Sequence, residues 1–540
     1  MSAAPTPSVR TFDYIIAGGG SAGCVLANRL SENPNNRVLL LEAGQNDNWI
    51  WFHIPAGYLF AIGNKRADWC FQTTPQEGLN NRVIAYPRGR VLGGSSAING
   101  MIYMRGQAQD YDNWRQLGLN GWGWEDVLPV FKKHEDHFLG ASDMHGAGGE
   151  WRVEAPRISW QVLDSYREAA AEYGIAKIDD FNLGDNAGSS YFQVNQRRGL
   201  RWSAAKGFLK PVMHRPNLRV EMGCLVDKVV ITDGVATGVE WLQNDERHHA
   251  SAAREVVLTA GAVGSVQILM RSGIGDAKEL SKLGIAPKIN LPGVGHNLQD
   301  HLQLRLIYKV KGIKTLNETY RNIFKRALMG VNYVVARRGP LTMAPSQLGM
   351  FARSGADVER ADLQFHVQPL SLGKFGEALH PFRALTASVC NLRPESRGQI
   401  TIANADPISA PVIAPNYLSA PRDRTIAARA MRMARAIVKG QALAPFEPEE
   451  FLPGPFVDDT DAALIKAAGD IGTTIFHPVG TAKMGLPSDP MAVVDDQCRV
   501  FGLSGLRVAD ASVMPFIISG NTNSPTLMIA EKVAGLICQK

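Results

Sequence analysis

The sequence predicts an α/β protein of more than one domain, and three observations lead there. An apolar run, a glycine-rich turn, a helical spacing and a second apolar run follow one another within about 30 residues near the start, the size of one βαβ unit. The texture changes between about 312 and 465, where helical and β-like stretches alternate. A length of 540 residues exceeds one ordinary domain of about 100–200 residues.

Taken in order, Phe12 to Ala17 reads as a short buried strand and Gly18-Gly19-Gly20 as a tight turn. From Ser21, the residues Ala22, Val25, Leu26, Arg29 and Leu30 fall at helical spacing, and Val38 to Leu41 forms a second strand ending in Glu42. Residues 44–150 read as irregular, rich in Gly, Trp and Pro, the texture of loops that wrap a ligand. Residues 218–231 and 236–242 suggest a hairpin about Asp233-Gly234. His248 and His249 read as an exposed turn. Glu255 to Ala260 is a further strand, followed by Gly261 and a helix to Met270. Residues 424–438 look helical, 383–392 look like a strand, and a last helix runs from Thr526.

Composition narrows the class. Apolar residues are 45% and charged residues 20%, a globular balance. The net charge of +6 is dispersed, without the basic stripe that nucleic-acid binding requires. The six cysteines form no C-x-x-C pair, so no zinc site, redox dithiol or other metal site is expected. Met1 to Arg10 lacks an apolar signal core, and no run of about 18 apolar residues occurs. A cytoplasmic protein, or one peripheral to the inner membrane, is expected.

Gly18-Gly19-Gly20-Ser21-Ala22-Gly23 is G-x-G-x-x-G. Gly18 makes the turn, Gly20 lets the backbone approach a pyrophosphate, and Gly23 lets the helix pack against the strand. Free N–H groups at the helix start suit phosphate charge. Glu42, 24 residues after Gly18, is placed to accept hydrogen bonds from an adenosine ribose. The motif predicts a dinucleotide and does not separate FAD from NAD.

Other segments do. RGRVLGGSSAINGMIY at 88–103 resembles the first signature of the glucose–methanol–choline (GMC) oxidoreductases, and GAVGSVQILMRSGIG at 261–275 resembles the second, with Val266 where the family usually has Pro or Ser. His477-Pro478-Val479-Gly480-Thr481, Val508-Ala509-Asp510-Ala511-Ser512 and Gly520-Asn521-Thr522-Asn523 also match, in the family's order. The resemblance runs from about residue 11 to 536, and within the family is greatest to the bacterial choline and alkanol dehydrogenases.

The resemblance implies a Rossmann-like FAD-binding domain at 1–155, 211–311 and 466–540. A substrate-binding domain at 156–210 and 312–465 would be built on a mostly antiparallel sheet flanked by helices. It implies FAD contacts from Gly18, Gly20, Ser21, Ala22, Gly23, Glu42, Ala43, Trp69, Arg90, Val91, Gly93, Gly94, Asn99, Gly100, Met101, Ile102, Val226, Ala260, Gly261, Asp510, Ala511, Asn521 and Thr522. Ile98 occupies the position of a histidine that binds FAD covalently in some relatives, so non-covalent FAD is expected. His477 is implied as the base, since imidazole titrates near working pH, and Asn521 as its partner, donating to the substrate oxygen. His301, in Asn297-Leu298-Gln299-Asp300-His301, reads as structural. The implied reaction is oxidation of a primary alcohol, passing electrons to oxygen, a quinone or a carrier. Phe476, Trp69, Tyr103 and Phe351 are candidate substrate contacts. No aromatic cage or carboxylate for a quaternary ammonium stands out, so a neutral alcohol leads and choline is the alternative. Relatives that cleave cyanohydrins or decarboxylate fatty acids under light, and a scaffold that merely retains FAD, are the competing readings.

Overall fold

The computed structural model describes residues 10–373 and 377–539. The leaderless reading of Met1 to Arg10 lies almost wholly outside the described residues.

β1 (Arg10–Ala17), α1 (Ser21–Leu30) and β2 (Val38–Glu42) form the expected unit. β2 is buried at every position, as parallel strands covered on both faces are. β1 pairs in parallel with β2 on one side and with the strand Glu246–Leu258 on the other. Leu218–Met222 extends the sheet beyond β2. The 13-residue strand Glu246–Leu258 serves two partners along its outer edge: its first half pairs antiparallel with Val235–Gln243, its last residues parallel with Leu506–Val508. His248 and His249 therefore lie in a paired strand, opposite Trp241 and Glu240, and not in a turn. The hairpin about Asp233-Gly234 is present, between Leu225–Thr232 and Val235–Gln243.

A second sheet has the order Glu449–Leu452, Leu302–Lys309, Ala384–Asn391, Leu363–Gln368, Leu348–Ala352, Gly188–Tyr191, with Gly472–Thr474 also on Leu302–Lys309. Every one of these pairings is antiparallel. The helix Pro421–Val438 covers one face through Ile426, Ala430, Met431, Ala434 and Ile437. Leu302–Lys309 and Gly472–Thr474 thus belong to this second sheet, although the boundaries expected at 311 and 466 place both in the first domain.

Residues 44–150 are less irregular than the sequence suggests, for they contain helices Ala108–Gln116 and Trp124–His134. Each start is fixed by an aspartate three residues in, Asp110 accepting from the Gln107 N–H at 2.9 Å and Asp126 from the Gly123 N–H at 3.0 Å. Among the described residues no helix is long and apolar enough to cross a membrane.

Candidate active site

One continuous cavity runs from the glycine turn after β1 to the second sheet. At the turn, Gly18 has φ +114°, and a Cβ on Gly94 would stand 2.7 Å from the Gly20 Cα, so two stretches of backbone meet where side chains cannot fit. α1 and the last helix, Asn523–Cys538, both begin at the cavity without a side-chain cap, at Gly20 and Thr522. Their first amides are unsatisfied donors of the kind that bind phosphate. Ser21 Oγ donates to Asn523 Oδ1 at 2.7 Å and ties the two helix starts together, while buried Asn523 Nδ2 has no protein partner. Glu42 closes this end. Its carboxylate accepts from the Gly19 and Gly44 N–H groups at 2.8 and 2.7 Å, and burial still raises its pKa to about 7. Uncapped helix ends, an orphaned amide and a side-chain-free cradle fit a dinucleotide.

The expected cofactor residues divide. Gly18, Gly20, Ser21, Ala22, Glu42, Ala43, Trp69, Gly94, Asn99, Gly100, Met101, Ile102, Val226, Ala260, Gly261, Asp510, Ala511, Asn521 and Thr522 line the cavity, as does Ile98. Gly23, Arg90, Val91 and Gly93 do not. Gly23 packs α1 on the turn, where a Cβ would lie 1.9 Å from the Gly18 carbonyl oxygen. The Arg90 guanidinium sits over the Trp69 ring at 4.7 Å. Val91 is buried in a small apolar cluster with Phe52, Ala97 and Ile98. Gly93 donates its N–H to the Gly19 carbonyl at 2.8 Å, bracing the turn from behind.

At the far end His477 and Asn521 meet, with Asn521 Nδ2 3.0 Å from His477 Nε2. The hydrogen-bond chain behind them fixes where the protons are. His301 Nε2 is 3.0 Å from the Leu392 carbonyl, which can only accept, so Nε2 carries the hydrogen. Burial lowers the His301 pKa to about 4, so the ring is neutral and its Nδ1 is an acceptor. His301 Nδ1 lies 3.0 Å from His477 Nδ1, which must therefore donate. Burial, with His301, His366 and Arg88 nearby, holds the His477 pKa well below its usual value, so this ring is neutral too, and its Nε2 is an unprotonated acceptor. Asn521 Oδ1 accepts from Gln364 Nε2 at 3.1 Å, which turns the Asn521 NH2 toward that acceptor. His301 is thus the group that sets the tautomer of His477, a role the structural reading of its motif did not supply.

The backbone at His477 is held on several sides. Its N–H donates to Asp300 Oδ1 at 2.8 Å, and Asp300 Oδ2 accepts from Tyr417 and Thr474 hydroxyls, both at 2.5 Å. Phe476 has φ +72°, unfavourable for a side chain of that size. Thr474 Oγ1 accepts from its N–H at 2.8 Å and Arg88 donates to its carbonyl at 2.7 Å, so the turn that aims His477 is clamped from both ends.

The second sheet supplies a polar wall by simple alternation. Along Leu363–Gln368, Leu363, Phe365 and Val367 enter the core, and Gln364, His366 and Gln368 take the other face; Leu302, Leu304 and Leu306 likewise alternate with Gln303 and Arg305. Arg305, Ser388 and His366 stand in one row across three neighbouring strands. Gln303, Arg305, His366 and Gln368 line the cavity. His366 is buried with neither ring nitrogen bonded to protein, and burial followed by His301 lowers its pKa to about 3. Burial lowers the Arg305 pKa to about 10, which leaves it charged at neutral pH. Tyr58, Trp69, Phe71 and Phe476 line the cavity, whereas Tyr103 and Phe351 are buried in apolar cores and are not substrate contacts.

Away from this cavity, His137, His145 and Asp180 form a group of potential metal ligands among the described residues. His145 is already engaged at both nitrogens, by Glu135 at 3.1 Å and Asp180 at 2.8 Å. Burial alone would lower its pKa, and these two carboxylates overcome that and raise it. Both ring nitrogens of His145 are thus tied into a buried polar network with Glu135 and Asp180.

Two family models described as GMC oxidoreductase match the chain, over residues 12–303 and 394–530. The chain belongs to the GMC oxidoreductases. It is an oxidoreductase acting on CH–OH groups with a flavin cofactor. The alcohol dehydrogenase [acceptor] of Pseudomonas putida is 41% identical, over 98% of this chain and 96% of that protein. The mitochondrial choline dehydrogenase of Homo sapiens is 40% identical, over 99% and 91%. The crystal structure of pyridoxine 4-oxidase from Mesorbium loti superposes with a TM-score of 0.89 at 31% identity, covering 98% of this chain and 99% of that one. The α/β fold with a second, antiparallel sheet and the family resemblance agree with what the sequence implied.

Proposed function

We propose that this GMC oxidoreductase oxidises a neutral primary alcohol to its aldehyde with non-covalently held FAD, His477 serving as the base. The observation that carries the reading is the proton order Leu392–His301–His477, which leaves His477 Nε2 as an unprotonated acceptor beside an N–H donor from Asn521. The alcohol hydroxyl would donate its proton to Nε2 while Asn521 Nδ2 donates to the same oxygen, stabilising the negative charge that grows there. Bound flavin supplies the acceptor for the hydride that leaves the carbinol carbon. The cofactor would rest its pyrophosphate on the amides of Gly20, Ser21, Ala22 and Thr522 and its ribose on Glu42. Ile98, an aliphatic side chain on the cavity wall, offers no nucleophile for a covalent link. We assign the strands Leu302–Lys309 and Gly472–Thr474 to the substrate-binding domain, and otherwise keep the division given above.

A neutral substrate is favoured over choline by charge. Two carboxylates line the cavity among the described residues, Glu42 and Asp510, and both are satisfied by backbone or hydroxyl donors at the nucleotide side. Near His477 the cavity presents the Arg88 guanidinium instead, whose charge acts on the His477 ring and opposes a quaternary ammonium in a low-dielectric site. The face of Trp69 already holds Arg90. The visible spectrum of anaerobic enzyme tests this directly. Neutral aliphatic or aromatic primary alcohols are expected to bleach the flavin at concentrations at least about tenfold lower than choline does, the difference one desolvated charge contact makes. Bleaching by choline at the lowest concentration of the panel would reverse the assignment, and bleaching by no alcohol would move the chain to redox-silent chemistry. The speed of recolouring in air then separates oxygen from another acceptor.

His301 acts through His477 and is a positioning residue. In His301→Ala the Nδ1–H of His477 loses its acceptor, at about 1–3 kcal/mol for a buried group, so the productive tautomer is disfavoured. We expect kcat to fall roughly 10–100-fold with flavin content unchanged, and the acid limb of the kcat profile to move. A loss of activity with an unshifted pH profile would assign His301 to packing alone.

A further inference from the structure

We propose that the helix Ile323–Ala336 is a docking face for a lipid bilayer bearing anionic headgroups. An ordinary surface helix turns its apolar stripe inward. This one does the reverse. Met329 and Tyr333 are its buried residues, and the Tyr333 hydroxyl fixes that edge by donating to the Gly199 carbonyl at 3.1 Å. Phe324, Val334 and Val335 are 83%, 71% and 80% exposed, and Ile323, Leu328 and Val331 are exposed as well. Phe324, Leu328, Val331 and Val335 follow at steps of four, three and four, so they share one outward stripe. Contiguous apolar surface of this kind marks an interaction site rather than chance exposure.

Charge selects the occupant. From Lys314 to Arg338 the chain carries the basic residues Lys314, Arg321, Lys325, Arg326, Arg337 and Arg338 against one acid, Glu318, while Lys311 just before them is paired with Glu447 at 2.9 Å. Glu318 is itself paired, with Lys325 at 3.4 Å and Arg383 at 3.1 Å. A second copy of the chain would bring the same basic rim against itself, with like charges opposed. Anionic headgroups complement it. At 14 residues the helix is about 21 Å long, too short to cross a hydrocarbon core of about 30 Å. Its geometry is that of a helix lying in the plane of the interface, apolar side down. The chain leaves it through Pro340–Thr342, which packs on Pro55–Gly57, and reaches Pro345 and Ser346 in the cavity wall. Docking would set the segment leading to that wall against lipid. The inference stands on the surface alone, whatever alcohol the enzyme takes.

Co-sedimentation of the full-length, flavin-loaded protein with vesicles tests it. Vesicles of phosphatidylglycerol and phosphatidylcholine are expected to carry the protein down, and phosphatidylcholine alone much less. Phe324→Asp with Val335→Asp should lower partitioning by roughly tenfold or more, and Lys325→Ser with Arg326→Ser by about fivefold per charge removed. Flavin content and thermal midpoint should stay as in the parent, since these side chains are solvent-facing. Failure of the parent protein to bind the anionic vesicles would overturn the proposal. So would an oligomer that the Phe324→Asp, Val335→Asp variant dissociates while neither protein binds vesicles, which would make the face a self-interface.

Discussion

Replacing His477 by alanine is expected to slow anaerobic reduction of the flavin by alcohol about 10²–10⁴-fold, the span a positioned general base contributes. Flavin content should not change, because the nucleotide end of the cradle is built by the glycine turn, the start of α1 and Glu42, whose hydrogen bonds run to the Gly19 and Gly44 amides and not to the His477 ring. Two further readouts separate loss of a base from loss of packing. The first is pH. Burial holds the parent imidazole neutral well below its usual range, so parent activity should be flat above pH 6.5 and fall only in more acid solution. The variant must give up the proton to solvent and should gain rate as pH rises. The second is stability. A histidine kept neutral in the fold binds its proton in the unfolded chain first, so the unfolded state takes up more protons as pH drops below about 6.5 and stability is lost with it. His301, neutral down to about pH 4, contributes in the same direction. Taking His477 away removes one such site, and the fall in thermal midpoint from pH 7 to 5 should be smaller in His477→Ala than in the parent. Stopped-flow reduction within threefold of the parent rate would remove His477 from the base role.

Much of this site is legible in the sequence where function demands a residue type at a fixed local spacing. Gly18, Gly20, Gly23 and Glu42 fall within one βαβ unit, and the peptide bonds of that unit alone bring them together. His477 and Asn521 stand in short motifs beside proline and a helix start. The rest depends on pairings that no local window contains. His301 is 176 residues from the ring it orients, and Leu392, which fixes its proton, comes from a third segment. Gln364, His366 and Gln368 alternate with Leu363, Phe365 and Val367, a pattern that announces a strand with one apolar face. It does not announce that the polar face looks into a cavity rather than into water. Only the register with Arg305 and Ser388 decides that. The helices at 108–116 and 124–134 are hidden for a different reason: Gly118, Gly121 and Gly123 break the stretch between them, and Pro129 interrupts the second. The signals present, Gln107 with Asp110 and Gly123 with Asp126, are caps without the usual serine or threonine.

The glycine turn makes the second large prediction, because it is where backbone, helix and nucleotide meet with nothing to spare. Gly23 lies in the first turn of α1, and a Cβ there would sit 1.9 Å from the Gly18 carbonyl oxygen and 3.0 Å from Thr259 Oγ1. That oxygen cannot swing aside, for Thr259 Oγ1 donates to it at 2.8 Å and Gly18 itself is held in the chain by its N–H on the Leu41 carbonyl at 2.8 Å. In Gly23→Val, α1 must retreat from the strand by about an ångström or more to restore a normal carbon–oxygen contact, and the amides of Gly20, Ser21 and Ala22 move with it. We expect purified protein with little or no flavin and a stability lower by about 3 kcal/mol, as overpacking against fixed backbone produces, seen as a lowered thermal midpoint. Gly535, in the last helix with nothing within 4 Å of a built Cβ, is the matched control. Gly535→Ala should keep its flavin and gain about 0.5–1 kcal/mol from helix propensity. A Gly23→Val protein that purifies yellow, at full flavin stoichiometry and the parent melting point, would show that the cradle does not depend on this contact.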